Sequence, residues 1–128
     1  MQSIYPVLKY NDVHAAMDFL ERAFGFHRHA VHEDDGGGVV HGELRFGDQV
    51  VMVSSTGAGN PVFDQGVGRM TVYVAVDEVD SLHESAKAAG AEIVMPPTDQ
   101  DYGSRDFAVR DPEGNVWSFG TYRPDVDG

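Results

Sequence analysis

Three polar residues alternate with apolar ones in His41-Gly42-Glu43-Leu44-Arg45-Phe46. On a strand, every second side chain shares a face, so His41, Glu43 and Arg45 project together, away from the side that Leu44 and Phe46 bury. A histidine and a carboxylate two residues apart on one strand form an acid/base pair able to move a proton. The same residues also make a cross-strand salt-bridge ladder, the more ordinary use of such a stripe. Arg105 precedes Phe107 and Val109 at alternate spacing and is expected to reach the same polar site. There it either clamps a carboxylate or phosphate or pairs with Glu43. Of the six histidines, His27 and His29 share a strand face as a chelate would. A metal site needs ligands converging from several elements, so a solvated strand is the plainer reading, and His14 and His83 fall within helices. The chain has no cysteine, which excludes disulfides, thiolate metal sites and Cys nucleophiles. It also lacks a G-x-S-x-G elbow, a P-loop and a dinucleotide fingerprint.

These residues need a scaffold, and 128 residues suffice for a single domain with one core. The formal charge of −12 argues against a nucleic-acid surface; it favours a cationic ligand, although the more ordinary role of such acidity is to keep a protein soluble. No apolar run approaches the roughly 20 residues of a membrane span. MQSIYPVLKY lacks the basic and apolar regions of a signal peptide, so a cytoplasmic location is expected.

Ser3–Tyr10 reads as a strand, with Pro6 placing it at an edge. Asn11 or Asp12 caps a helix whose Val13, Met17, Leu20 and Phe24 follow helical spacing, and Gly25 ends it. Strands follow at Phe26–Glu33, Val39–Phe46 and Gln49–Ser55, separated by a glycine-rich turn and by Gly47-Asp48. Residues 56–68 are a Gly-rich connection. Arg69–Val76 is the next strand, Asp77 a cap, and the helix to Ala89 stops at Gly90. Ala91–Met95 is a strand and Pro96–Asp101 a loop. The chain closes with a hairpin of Arg105–Arg110 and Asn115–Tyr122 around Asp111-Pro112-Glu113-Gly114-Asn115, where Pro fixes φ and Gly supplies a positive one.

The punctuation repeats. Asp12 and Asp77 lie 65 positions apart, as do Gly25 and Gly90, and Gly47 and Gly114 lie 67 apart. Three landmarks in order imply two copies of one β-α-β-β-β unit, residues 3–55 and 69–123.

With AMDFLERAFGF, Phe46-Gly47-Asp48, Val76-Asp77, Ala89-Gly90-Ala91 and the DPEGN turn in this order, the chain resembles the vicinal-oxygen-chelate superfamily of glyoxalase I, extradiol dioxygenases and bleomycin-resistance proteins. The resemblance implies an α+β fold: two β-α-β-β-β modules whose curled mixed sheets surround a concave cavity, with the helices on the convex side. It also implies a homodimer, with modules paired within or between chains.

If Leu8, Val51, Val53, Val72, Val74, Trp117 and Phe119 pack under the helices, the opposite parity faces the cavity. That set is Tyr5, Val7, Val50, Met52, Ser54, Thr71, Tyr73, Ala75, Val116 and Ser118. Metal-using members of the family place one ligand on each of four strands, and the matching positions here are Tyr5, Met52, Thr71 and Ser118. Ser118 stands where a Glu often follows the turn. A phenol, a thioether and two hydroxyls are poor ligands for a divalent ion, so the resemblance points to a metal-free branch with no cofactor.

The candidate ligand-binding residues are therefore Tyr5, His41, Glu43, Met52, Thr71, Tyr73, Tyr102, Arg105 and Ser118. Tyr102 stands on a rim loop, and Phe63 joins the apolar lining. The first reading is a small-molecule-binding protein for an aromatic or cationic ligand. The second is a metal-dependent lyase, isomerase or dioxygenase with ligands at unmatched positions, His41 and Glu43 foremost. In the third, the groove is filled by side chains and the protein acts through protein contacts.

Overall fold

The computed structural model describes residues 2–127. In chain order the elements are β1 (Val7–Tyr10), α1 (Val13–Phe24), β2 (His27–Glu33), β3 (Val39–Phe46), β4 (Gln49–Ser55), β5 (Thr71–Ala75), α2 (Val79–Ala88), β6 (Glu92–Asp99), β7 (Arg105–Arg110) and β8 (Val116–Gly120). A 3-10 turn, Pro61–Phe63, lies in the connection. This is an α+β fold of two repeated β-α-β-β-β modules. The chain divides into two compact units, Met1–Arg69 and Met70–Gly128.

In the first unit the sheet order is β1-β4-β3-β2, with β1 parallel to β4 and the other neighbours antiparallel. The Asp12 carboxylate accepts from the Ala15 amide and caps α1, and Gly25 ends the helix in the left-handed conformation at φ 76°. The apolar stripe Val13, Ala16, Met17, Leu20 and Phe24 is buried, together with Leu8, Leu44 and Val53 from the sheet. Strand β1 is shorter than the expected Ser3–Tyr10. It begins only after Pro6, whose carbonyl takes the Met52 amide at 2.9 Å, and Ile4 is exposed rather than packed.

In the second unit the order is β5-β8-β7-β6, again with one parallel pair, β5 with β8. Phe107, Val109, Trp117 and Phe119 are buried with Val79 and Ala86 of α2. Two expectations are corrected here. The helix is capped at Glu78 without a side-chain bond, and Asp77 instead faces Arg123 at 3.5 Å. Strand β6 also runs through Pro96-Pro97, where a loop was expected. It is an edge strand with register shifts between Ile93 and Met95 and between Met95 and Thr98, and such irregular edges tolerate proline.

The turn before β8 is held by a buried carboxylate. Asp111 accepts from the backbone amides of Glu113 and Asn115, from Asn115 Nδ2 and from Trp117 Nε1, all at 3.0–3.1 Å. Asn115 Oδ1 in turn accepts the Met70 amide at 3.1 Å, tying the turn to the entry of β5.

Candidate functional site

Each sheet buries one face under its helix and leaves an open face, and the register fixes what each open face carries. In the first unit, Val7 lies beside Met52, Met52 beside Glu43, and Glu43 beside Ala30. Histidines gather at the β2–β3 end of this row. His41 Nε2 and Glu43 Oε2 are 2.6 Å apart, a direct hydrogen bond along one strand. His29 Nε2 lies 3.9 Å from Glu43 Oε1, and the His32 and His41 rings are 6.0 Å apart. A bulge between Arg28 and Ala30 produces this cluster: the extra residue shifts the register and sets His32 opposite His41. The His41 hydrogen bond, aided by the charges of the three imidazoles, holds the Glu43 carboxyl below its ordinary 4.5. Arg45 does not join this network; its guanidinium reaches the Gly47 carbonyl at 3.4 Å.

The second open face is organised around Asp106. Its neighbour across β7–β8 is Gly120, and its carboxylate occupies the space a side chain on that residue would need. A β-carbon on Gly120 would overlap Asp106 Oδ1 and come within 2.8 Å of the Tyr73 hydroxyl. Ser104 Oγ donates to Asp106 Oδ1, and the Tyr102 hydroxyl donates to Oδ2 at 2.9 Å. Ser104 Oγ also accepts the Tyr122 amide at 3.1 Å, and the Tyr73 hydroxyl donates to the Tyr122 carbonyl at 2.7 Å. The Tyr102 and Tyr122 rings meet edge-on, with centroids 5.9 Å apart. Bonding to the carboxylate raises the Tyr102 hydroxyl above its ordinary 10.0.

Several sequence expectations shift position. Tyr5 precedes β1, and its hydroxyl donates to the Gln2 carbonyl, so Val7 rather than Tyr5 stands beside Met52. Likewise Tyr73, not Thr71, stands beside Ser118, while Thr71 pairs with Val116. Arg105 does not reach the open face. It has the parity of buried Phe107, and its guanidinium bonds Asp80 of α2 at 2.9 Å and Asp99 at 3.0 Å. The alternation that buries Phe107 and Val109 placed Arg105 on the helix side and Asp106 on the open one. The sequence reading followed the charge instead and missed Asp106, Ser104 and Tyr122.

The register neighbours Val7, Met52, Tyr73 and Ser118 present an alkyl group, a thioether, a phenol and a hydroxyl. This donor set does not fit a divalent ion of the glyoxalase or dioxygenase type. Among the described residues, no group of three or more His, Asp or Glu side chains has a geometry that holds a metal ion.

Residues 5–119 match the family described as the Glyoxalase/Bleomycin resistance protein/Dioxygenase superfamily. The chain belongs to that superfamily. The crystal structure of TioX from Micromonospora is similar at 35% identity, covering 94% of this chain and 100% of that one, with a TM-score of 0.81. A glyoxalase/bleomycin resistance protein/dioxygenase family enzyme from Burkholderia phytofirmans is similar in fold at 23% identity, covering 91% of this chain and 94% of that one, with a TM-score of 0.72. An uncharacterized protein of Mycobacterium tuberculosis is 29% identical over 124 residues, 92% of this chain and 73% of that protein. Among the described residues, no helix is long and apolar enough to cross a membrane.

Proposed function

We propose that this chain is a small-molecule-binding protein of the glyoxalase/bleomycin-resistance type, which takes an aromatic or cationic ligand without a metal. In this reading it acts as a cytoplasmic homodimer. The observation that carries the proposal is the pair of register neighbours Val7–Met52 and Tyr73–Ser118, whose apolar, thioether and hydroxyl groups are poor ligands for a divalent ion. Tyr73 and Tyr102 in the second unit supply ring surface, and Met52 in the first supplies soft apolar surface, each of a kind that suits a flat ligand. The surplus of acidic residues, 21 against 9 basic, favours a positive one.

The test is elemental analysis after mild dialysis without chelator, followed by a thermal-shift screen of aromatic and cationic compounds. The expected result is folded, metal-poor protein that some of these compounds stabilise. Near-stoichiometric Zn, Ni, Mn or Fe overturns the metal-free part, and a screen without a single shift overturns the binding part.

The hydrogen bond between His41 and Glu43 favours one second reading, an enzyme of the same superfamily in which this pair handles a proton. It requires that His41→Ala abolish turnover while ligand binding persists.

A further inference from the structure

We propose that the open face of the second module holds a seat for an organic ammonium group, with Asp106 as its anion and Tyr73, Tyr102 and Tyr122 as the rings around it. The proposal rests on the binding reading above and narrows its ligand to a primary or secondary amine carrying an apolar or aromatic body.

Asp106 is only 5% exposed, yet among the described residues it makes no ion pair with Lys, Arg or His. Its two donors, Ser104 and Tyr102, are neutral hydroxyls. A carboxylate offers about four acceptor sites, so roughly half of its capacity is unused. A buried anion without a counter-ion is costly to keep, and the fold does not spend the neighbouring cation on it: Arg105, the next residue, is committed to Asp80 and Asp99 on the other face.

The tyrosines around Asp106 remain accessible. Tyr73 is 39% exposed, Tyr122 47% and Tyr102 65%. Tyr73 and Tyr122 are tied together through the Tyr122 carbonyl, and Tyr102 is tied to the carboxylate itself. Rings held in place beside a partly unsatisfied anion are the chemistry that recognises an ammonium ion, through charge, N–H donation and attraction to the ring faces. Glycine at position 120 is what lets the carboxylate lie down between Tyr73 and Tyr102, since any β-carbon there would displace it.

The experiment is isothermal titration of the full chain at neutral pH with phenethylammonium and with phenethyl alcohol, which share a ring but differ in charge. The wild-type protein is expected to prefer the ammonium probe by about tenfold or more, the scale of a charge-assisted hydrogen bond. Asp106→Asn, checked for folding by its melting transition, is expected to erase that preference. Equal binding of the two probes to the wild type, or a preference that survives in Asp106→Asn, overturns the seat and leaves the binding reading standing. If neither probe nor any aromatic compound binds, the binding reading falls with it. Should Asp106→Asn not fold, Tyr102→Phe carries the test. It keeps the ring but removes one neutral donor from the carboxylate, so the preference for ammonium rises; an unchanged preference overturns the proposal.

Discussion

His41 in the first module and Asp106 in the second occupy the same place in their sheets. Each immediately precedes the residue that faces the core strand: Gly42 opposite Val53, and Phe107 opposite Phe119. Val53 and Phe119 correspond in turn, since one lies beside Leu8 and the other beside Val74. One backbone plan thus presents an imidazole in one copy and a carboxylate in the other. Their partners differ accordingly: a carboxylate for His41, and two hydroxyls for Asp106.

The His41–Glu43 bond has a consequence in acid. The Glu43 carboxyl is held below 4.5 in the folded chain, so the stability it contributes is complete above that value and drains as pH falls through its folded value. His41→Ala removes the main cause. In that variant the carboxyl is expected to titrate closer to 4.5, followed through the Glu43 side-chain carbon by NMR, and the share of acid sensitivity due to this group shrinks.

Tyr102 works in the opposite direction. Its hydroxyl lies above 10.0 because Asp106 accepts its proton in a hydrogen bond. The stabilisation is therefore complete below pH 10 and lost as pH rises through the folded value. A titration of phenolate absorbance should find one tyrosine ionising late in the wild type and moving earlier in Asp106→Asn. An identical curve for the two proteins would mean that the bond does not form in solution.

Gly120→Ala should be far more damaging than its single added methyl suggests. The new β-carbon meets Asp106 Oδ1 and the Tyr73 hydroxyl, so the carboxylate must leave its place. A loss of roughly 1–3 kcal/mol in urea unfolding is expected, as for other overpacked sites. Tyr102 should also return towards its ordinary ionisation.

Arg105→Ala provides the contrast. Its guanidinium serves Asp80 and Asp99 on the helix side, where it holds the Asp80 carboxyl below its ordinary value. Affinity for phenethylammonium should not change. A change in either direction as large as that of Asp106→Asn would put Arg105 at the ligand after all.

The fold was legible wherever alternation and punctuation agreed. Val39–Phe46 and Gln49–Ser55 have the bounds read from sequence because glycine-bearing turns frame both strands. Legibility failed where the chain departs from regular pairing. Pro6 delays β1 and so removes Tyr5 from the row beside Met52, and prolines inside β6 disguise a strand as a loop. The candidate site was half legible. His41 and Glu43 were visible because two residues on one strand need no tertiary knowledge. His29 and His32 join them through a bulge that no local residue announces. Asp106 was hidden by its neighbour: Arg105 carries the charge of a ligand clamp, yet parity assigns it to the helix side.

The Asp111 turn separates two things that a family resemblance usually fuses. Its carboxylate satisfies Trp117, Asn115 and two backbone amides while Asn115 anchors the entry to β5, so DPEGN holds the scaffold together. Asp111→Ala should cost roughly 3 kcal/mol by leaving those buried donors unpaired, with the Trp117 emission as a readout. The residues that betray the lineage are thus mechanical fasteners, remote in role from the open faces. Met52, Tyr73, Asp106 and Ser118 take no part in these bonds of the turn, so substitutions at these positions leave the fasteners in place. In this chain, the marks of kinship are written in the joinery.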